Sequence, residues 1–569
     1  MNILGMFGPG ENPSASLIMN GKLIALIEEE RLNRIKMSPN NLPINAAKLC
    51  LKIGGIDINS INGIAWGWDC IKYEKYLEKI NKKIKNKKNH NYLQNELNKN
   101  LYSPNRIKRA IKIAFSDQLK KKMPQIHFIT HHLCHAASAF FCSGFKKSNI
   151  LTLDGSGEDL TTMLCEATGE KIKIVKKITI PNSLGGYYAT FTEFLGFKPY
   201  MDEGKLMGLA AYGKYSKKIQ SKLDKFIKYN KKTGIFKINN KLRYDGKHTF
   251  GERFTDEFVK IFGKKRSKNA SALTKPYPDI AYNVQLRLEN IAKLLAKNLY
   301  IKNKIKNLCL AGGVAMNCKM NGELSKEKYV DNIFVQPAAS DNGVSLGAAQ
   351  ILTLKKGGKL KTNLTNVYYG PKYTNRQILK HLKESKLNFY KSKDIFKEAA
   401  KFLYNKKIIC WFQDRMEFGA RSLGNRSILA SPLFKDMRDK INMNVKHREN
   451  WRPFCPSVID EDYEKYIDSK IKSRFMTVAL PINKNMKKKI PSCVHVDDTV
   501  RAQIVDKKNN LKYWKLIKEF KILSGHGIII NTSFNIQGEP IVCSPRDALR
   551  TFGGTGLDAL IIGDYIIKK

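Results

Sequence analysis

The chain has 569 residues, of which 42% are hydrophobic, and 101 Lys and Arg against 50 Asp and Glu leave a formal charge of +51. That length exceeds one ordinary core and calls for two or more domains. The apolar content excludes a disordered chain, and no apolar run is long enough to span a bilayer. The positive excess is mostly Lys, spread along the sequence beside abundant Asn and Ile. It reads as a solvated surface with some attraction for anionic substrates. Nucleic acid is the other partner such charge attracts, but no RNA-recognition motif accompanies it. Eleven cysteines occur without a C-x-x-C pair, which excludes a disulfide framework and a zinc knuckle. Reduced thiols and a start, MNILGMFG, without a basic or long apolar leader segment lead to the expectation of a cytoplasmic enzyme.

In chain order, residues 2–7 and 15–19 read as strands, and Asn20-Gly21 is a hairpin turn leading to a third strand at 23–28. Residues 73–123 are rich in Lys, Asn and Glu with helical spacing of Tyr, Leu and Ile, and read as an exposed helical insertion. A second start, ILTLDGSGED from Ile150, repeats the opening pattern, so the first domain (1–360) reads as two similar halves. A helix at 281–300, a strand at 307–310 and a glycine turn follow. Strands alternating with helices define an α/β fold. A Lys/Gly stretch, 355–365, reads as a linker, and 367–569 repeats the α/β alternation as a second domain.

Several motifs carry chemistry. In HHLCHAASA, His131 and His135 lie one turn apart on a helix. They can face one metal or be ordinary polar residues at a helix start, and the small residues after them allow another element or a ligand to come close. Asp341 follows a strand at 333–336, where α/β folds place ligands. It can be a third metal ligand, a helix N-cap, or both. Glycine turns at Asp154-Gly155-Ser156-Gly157 and at Gly312-Gly313 through Asn317 follow strands and can aim N–H groups at phosphate. Glu203-Gly204-Lys205 and the GLAAYG run strengthen that reading, although neither turn is a P-loop. In the second domain, residues 418–454 set Arg421, Arg426, Lys446, Arg448 and Arg452 among glycines and apolar residues. That pattern suits a structured pocket for a phosphorylated ligand more than a solvated face. Arg501 is a further cation. The run Asn531-Thr532-Ser533-Phe534-Asn535 gives short polar groups at the end of an apolar strand, or a Ser/Thr-rich turn.

At these motifs the sequence resembles the O-carbamoyltransferase family of the nodulation and antibiotic-tailoring type. The matching strings run almost end to end: EEERLNRIK, HHLCHAASA, LDGSGED, EGKLMGLAAYG, GGVAMN, SDNGVSLGAA, FGARSLGNRSILASP, KHRENWRPFCPSV, HVDDTVRAQ and NTSFNIQGEPIVCSP. The resemblance implies a duplicated first domain of the actin/Hsp70/sugar-kinase type, similar to threonylcarbamoyl-transfer enzymes, and a YrdC-like second domain. It implies ATP and carbamoyl phosphate as co-substrates for a carbamoyl adenylate, with Lys446, Arg448, Arg452, Arg501, Thr532 and Asn535 serving its formation and Arg421 and Ser533 beside them. It implies a divalent metal at His131, His135 and Asp341, iron by preference, with Mg accompanying ATP. Asp154, Gly155, Glu203, Lys205, Gly312, Gly313 and Asn317 would line the transfer site. The acceptor would be a small hydroxylated molecule, with a sugar the first choice, and a homodimer is compatible. Relatives often carry a His-Asp pair before the Ser-Ala of the first hairpin. Here Glu11 and Asn12 stand there, so either Glu11 replaces the His as the transfer base or a metal-bound alkoxide suffices. A phosphotransferase of the same first-domain architecture and a tRNA-modifying carbamoyl-transfer enzyme are the alternatives.

Overall fold

Asn20 and Gly21 adopt φ of 49° and 80°, the left-handed pair of a tight hairpin turn, between the strands Ser14–Met19 and Lys22–Glu28. Ser14–Met19 pairs antiparallel with Asn2–Phe7, which pairs in parallel with Gly63–Trp66, and that strand pairs in parallel with Ile126–Phe128. The chain is seen in a computed structural model that describes residues 1–120, 122–243, 253–361 and 363–569.

A second five-stranded sheet starts at Lys147–Leu153. It is antiparallel to Leu160–Thr168, which pairs with Lys171–Thr179, and on its other side it is parallel to Asn307–Ala311 and then Asn332–Val335. In both sheets the spatial order is third, second, first, fourth, fifth strand along the chain. The two similar halves suggested by the repeated strand-turn starts are therefore one topology used twice.

Residues 1–24 and 40–363 form one compact unit, and 25–39 with 364–569 form the other. This differs from a single cut near 360. The physical reason lies in the charged run after the first hairpin: Arg31 Nη2 donates to Gly419 O at 2.8 Å, and Arg34 donates to Ile541 O at 2.6 Å and Pro540 O at 2.8 Å. The expected linker at 355–365 holds the end of helix Val344–Lys355, and its Thr362 lies outside the described residues, as does Lys121 of the expected insertion. That insertion is built from helices Cys70–Asn81, His90–Leu101 and Pro104–Ala114. Its first two helices are tied by polar contacts, among them Asn81 to Glu96 at 2.7 Å and Lys99 to Glu78 at 2.9 Å.

The second unit is built on an eight-stranded mixed sheet. Helices Ile395–Tyr404 and Leu511–Ser524 contribute to a core with Trp411, Phe520, Ile529 and Ile561. Among the described residues no helix is long and apolar enough to cross a membrane.

Small residues in the first unit have a packing purpose. Helix Val344–Lys355 lies against the first sheet and against helix His131–Ser143. A Cβ at Gly347 would overlap the Cys134 carbonyl, and one at Gly5 would overlap Ser345 O. The small residues after His135 thus admit a neighbouring helix. We expect Gly347→Ala to destabilise the protein by about 2 kcal/mol or more, read as a lowered thermal midpoint. An unchanged midpoint would contradict this packing.

Candidate functional site

Four side chains converge in the first unit. His131 and His135 come from the start of helix His131–Ser143, Asp154 from the end of strand Lys147–Leu153, and Asp341 from the one-turn helix Asp341–Gly343. The two imidazole Nε2 atoms are 3.0 Å apart. Asp154 Oδ2 is 3.2 Å from each, and Asp341 Oδ1 lies 3.4 Å from His131 and 3.6 Å from His135. One ligand atom from each residue falls within 4.8 Å of all the others. Asp341 caps no helix: Gly343 is the residue at the cap of Val344–Lys355, and no side chain caps it.

The donor set fits a divalent transition ion. His131 Nδ1 faces Gly67 O at 3.2 Å. A carbonyl only accepts, so Nδ1 carries a proton; a cation at the cluster would take the Nε2 lone pair, whereas a second proton on Nε2 lets it donate to the carboxylates. The cluster also draws positive charge. Burial opposes protonation of His131, yet the Asp341 and Asp154 carboxylates push it up to about 10. Asp154 is held well below the usual carboxylate range, since hydrogen bonds from His131 and His135 outweigh its burial. His132 turns away to Thr152 Oγ1 at 2.7 Å, and burial pushes it down to about 3.

The sequence pattern places Asp154 among the transfer-site residues, whereas in the structure its carboxylate is a member of the His/Asp cluster. Its other oxygen accepts the Gly313 N–H at 2.9 Å, so that N–H serves the aspartate in place of a phosphate. Gly312 adopts φ 92°, and a Cβ there would overlap the Leu153 carbonyl. Gly155 O accepts from Ser183 Oγ at 2.6 Å. Asn317 is turned to other work: its side chain forms a reciprocal amide pair with Gln285 at 2.8 and 3.0 Å and caps helix Cys318–Ser325. Glu203 opens helix Glu203–Ala210 and accepts Tyr200 N–H at 2.5 Å; burial pushes it up to about 7. Lys205 pairs with Asp202 at 3.3 Å. Burial pushes Glu11 well above the usual carboxylate range, with the charges of Asp341, Glu203 and Asp154 adding to it and Arg253 opposing.

A second set gathers in the other unit. Lys446 ends the π-helical turn Asn442–Lys446 and is 4% exposed. Its Nζ donates to Ser533 O, to Asn535 O at 2.9 Å and to Asn535 Oδ1 at 3.0 Å. Ser533 Oγ donates to Asn535 Oδ1 at 2.6 Å. Both Asn531 and Thr532 lie within strand Ile528–Ser533, and Thr532 pairs with Ile428. Arg448 lies over the Phe454 ring at 4.6 Å and donates to Asn442 Oδ1 at 2.7 Å. Arg501 Nη2 and Nε approach Cys455 Sγ at 2.9 and 3.2 Å. Arg452 Nη1 is 4.0 Å from Glu449, and among the described residues neither Lys446 nor Arg448 has a carboxylate oxygen that close. Burial and then Arg448 push Lys446 well below the usual range for lysine, while burial and then Arg452 push Arg448 down to about 9.

Two residues of the basic block do something else. Arg426 is fully buried and spends its guanidinium on carbonyls of Gln413, Asn425, Pro371 and Asp414. Arg421, half-buried, sits in a loop wrapped round Glu417, whose Oε1 accepts the N–H groups of Leu423 at 2.7 Å, Arg426 at 3.2 Å and Asn425 at 3.3 Å. Asn442 goes unnoticed in the sequence, yet its side chain ties Arg448 to Arg452 O at 3.1 Å.

Against known proteins, the family model of the carbamoyltransferase N-terminus matches residues 8–350 and that of the carbamoyltransferase C-terminus matches residues 400–569. The chain belongs to the carbamoyltransferase family and is an enzyme that transfers carbamoyl groups. Nodulation protein NolNO of Sinorhizobium fredii is 34% identical over 98% of this chain and 78% of its own length. The Synechocystis protein sll1178 is 33% identical over 100% of this chain and 97% of its own. Among solved structures, full-length HypF in its phosphate- and nucleotide-bound form matches 62% of this chain and 55% of its own at 12% identity and a TM-score of 0.35, a likeness too slight to bear on function.

Purified protein titrated with Fe(II) is expected to take up one ion per chain, with His135→Ala and Asp154→Asn each weakening binding by more than about tenfold. Equal uptake by all three proteins would remove the site. Acid stability offers a separate test. The unfolded His132 binds a proton near 6.5 and the folded one near 3, so stability falls as pH drops between these values, by about 1.4 kcal/mol per pH unit. Denaturant titrations of His132→Asn across that window should show a shallower slope than the parent.

Proposed function

We propose that the chain is an ATP-dependent O-carbamoyltransferase whose second unit, YrdC-like, makes carbamoyl adenylate and whose first unit passes the carbamoyl group to a hydroxyl of a small, sugar-containing acceptor. The observation that carries the first half is the buried Lys446 beside Arg448, with no carboxylate oxygen within 4.0 Å of either among the described residues. A buried cation without a counter-charge costs several kcal/mol, and an anionic ligand removes that cost.

For atoms to balance, carbamoyl phosphate loses phosphate to water, and the carbamate oxygen attacks the α-phosphorus of ATP and expels pyrophosphate. Lys446, Arg448, Arg452 and Arg501 offset the phosphate charge that this step crowds together, with Ser533, Asn535, Thr532 and Arg421 beside them. The acceptor hydroxyl then attacks the carbamoyl carbon, AMP leaves, and the hydroxyl proton passes to Glu11. Burial, and then the charges of Asp341 and Glu203, raise the affinity of the Glu11 carboxylate for that proton. His131, His135, Asp154 and Asp341 would hold a divalent cation, iron as the family resemblance implies, which would supply positive charge to polarise oxygen. Glu203 and Lys205, in the first turn of helix Glu203–Ala210, would line the transfer site. A phosphotransferase reading leaves the Lys446 cluster without a task.

Incubation with ATP and carbamoyl phosphate should yield AMP and pyrophosphate, and Lys446→Ala should lower that rate about 100-fold or more. His135→Ala should keep AMP formation and lose the carbamoyl mass gain on acceptors seen by mass spectrometry. ADP as the product, or AMP release independent of carbamoyl phosphate, would sink the proposal.

A further inference from the structure

The helical segment 70–114 brings Tyr73 and Tyr102 against Trp68, which packs on His131 of the His/Asp cluster. Tyr102 follows helix His90–Leu101, and its ring centroid lies 4.6 Å from Trp68 and 5.3 Å from Tyr73. Trp68 is in turn 4.9 Å from the His131 ring, and Phe7 is 5.3 Å from it. Trp68 and Tyr73 are only 5% and 9% exposed, while Tyr102 is half-buried and keeps accessible surface. The Trp68 indole N–H is buried and has no acceptor among the described residues.

Three features bring Tyr102 to the transfer site. Its hydroxyl lies 3.1 Å from where a Cβ on Gly10 would stand, and the next residue is Glu11. Its ring is linked to a proposed metal ligand through Trp68. Its phenol is pushed up by burial and Tyr73, and then by the charges of Asp341 and Glu11. The helices of this segment meet through polar groups and bury Leu77, Ile107 and Ile111, and it is through the aromatic stack that the segment reaches Trp68 and, through it, His131.

We propose that Tyr102 is a specificity-determining residue for the acceptor, packing its ring on the C–H face of a pyranose and so holding a hydroxyl beside Glu11 and the His/Asp cluster. The inference rests on the transfer reading above and deepens it. An aromatic face takes the apolar side of a sugar ring, while the carboxylates around it take the hydroxyls. An acyclic polyol offers the hydroxyls but no such face, so the wall selects for rings.

Calorimetric titration with methyl α-glucopyranoside and with sorbitol tests this, on the metal-loaded full chain. The parent should bind the pyranoside more tightly than sorbitol. Tyr102→Leu should weaken pyranoside binding about tenfold and leave sorbitol unchanged, and Tyr102→Phe, which keeps the ring, should stay within about threefold of the parent. Carbamoyl-phosphate-dependent AMP formation should be the same in all three. Equal weakening toward both probes, a pyranoside preference that survives in Tyr102→Leu, or no pyranoside binding by the parent would each overturn the proposal. Failure of the transfer reading looks different: selective pyranoside binding persists, but no carbamoyl group reaches any hydroxyl.

Discussion

Two imidazole nitrogens 3.0 Å apart, with two carboxylate oxygens closing round them, cannot share a buried space unless positive charge joins them. A proton can supply it, and the strong upward push on His131 shows how hard the carboxylates pull. A divalent cation supplies more charge with better use of four lone pairs. Much of the first unit is arranged to keep this crowd in register. Gly347 lets two helices touch, Gly312 lets the turn after Asn307–Ala311 meet Leu153, and the Gly313 N–H fixes one oxygen of Asp154 so that the other faces the histidines. Loosen any of these and the four ligand atoms lose their common centre.

The second unit poses the same problem with the sign reversed. Lys446 is buried and its ammonium is satisfied by neutral oxygens of Ser533 and Asn535, which hold its position without neutralising it. Arg448 adds a second charge nearby and lowers the lysine further. A structural lysine would gain by meeting a carboxylate, as Arg31 does with Glu30 at 2.9 Å in the same unit. That Lys446 has none among the described residues makes sense where an anion comes and goes.

The parts of this architecture that were legible in the sequence are those set by local chemistry. Asn20-Gly21 announces its hairpin, and the spacing of His131 and His135 puts both on one helical face. The repeated strand-turn starts announce the duplicated sheets. What stayed hidden depends on register between distant segments. Asp154 reads as one residue of a glycine turn, and only the pairing of Lys147–Leu153 with Asn307–Ala311 sets it beside Gly313 and the histidines. Arg426 looks like Arg448 in sequence, yet one is spent on carbonyls and the other is not. Residues 25–28 read as the end of the first hairpin, and the membership of 25–39 in the second unit depends on partners some 400 to 500 positions away. Tyr102 sits in a polar segment with no motif around it, and only the fold sets it against Trp68.

The same contrast explains what the charge of +51 does and does not mean. Most lysines are exposed, where water screens them and a pair contributes little; Lys173, for example, meets Glu166 while 76% exposed. Such groups set a diffuse field that favours the approach of phosphorylated molecules but select none of them. Selection belongs to charges that the fold has withdrawn from water, because there a missing counter-ion costs enough to decide what binds. By that measure two clusters among the described residues stand out as needing a partner. One draws cations through Asp154 and Asp341, and the other draws anions through Lys446 and Arg448. An enzyme that activates a carbamoyl group on phosphate and then delivers it to a hydroxyl has a use for each.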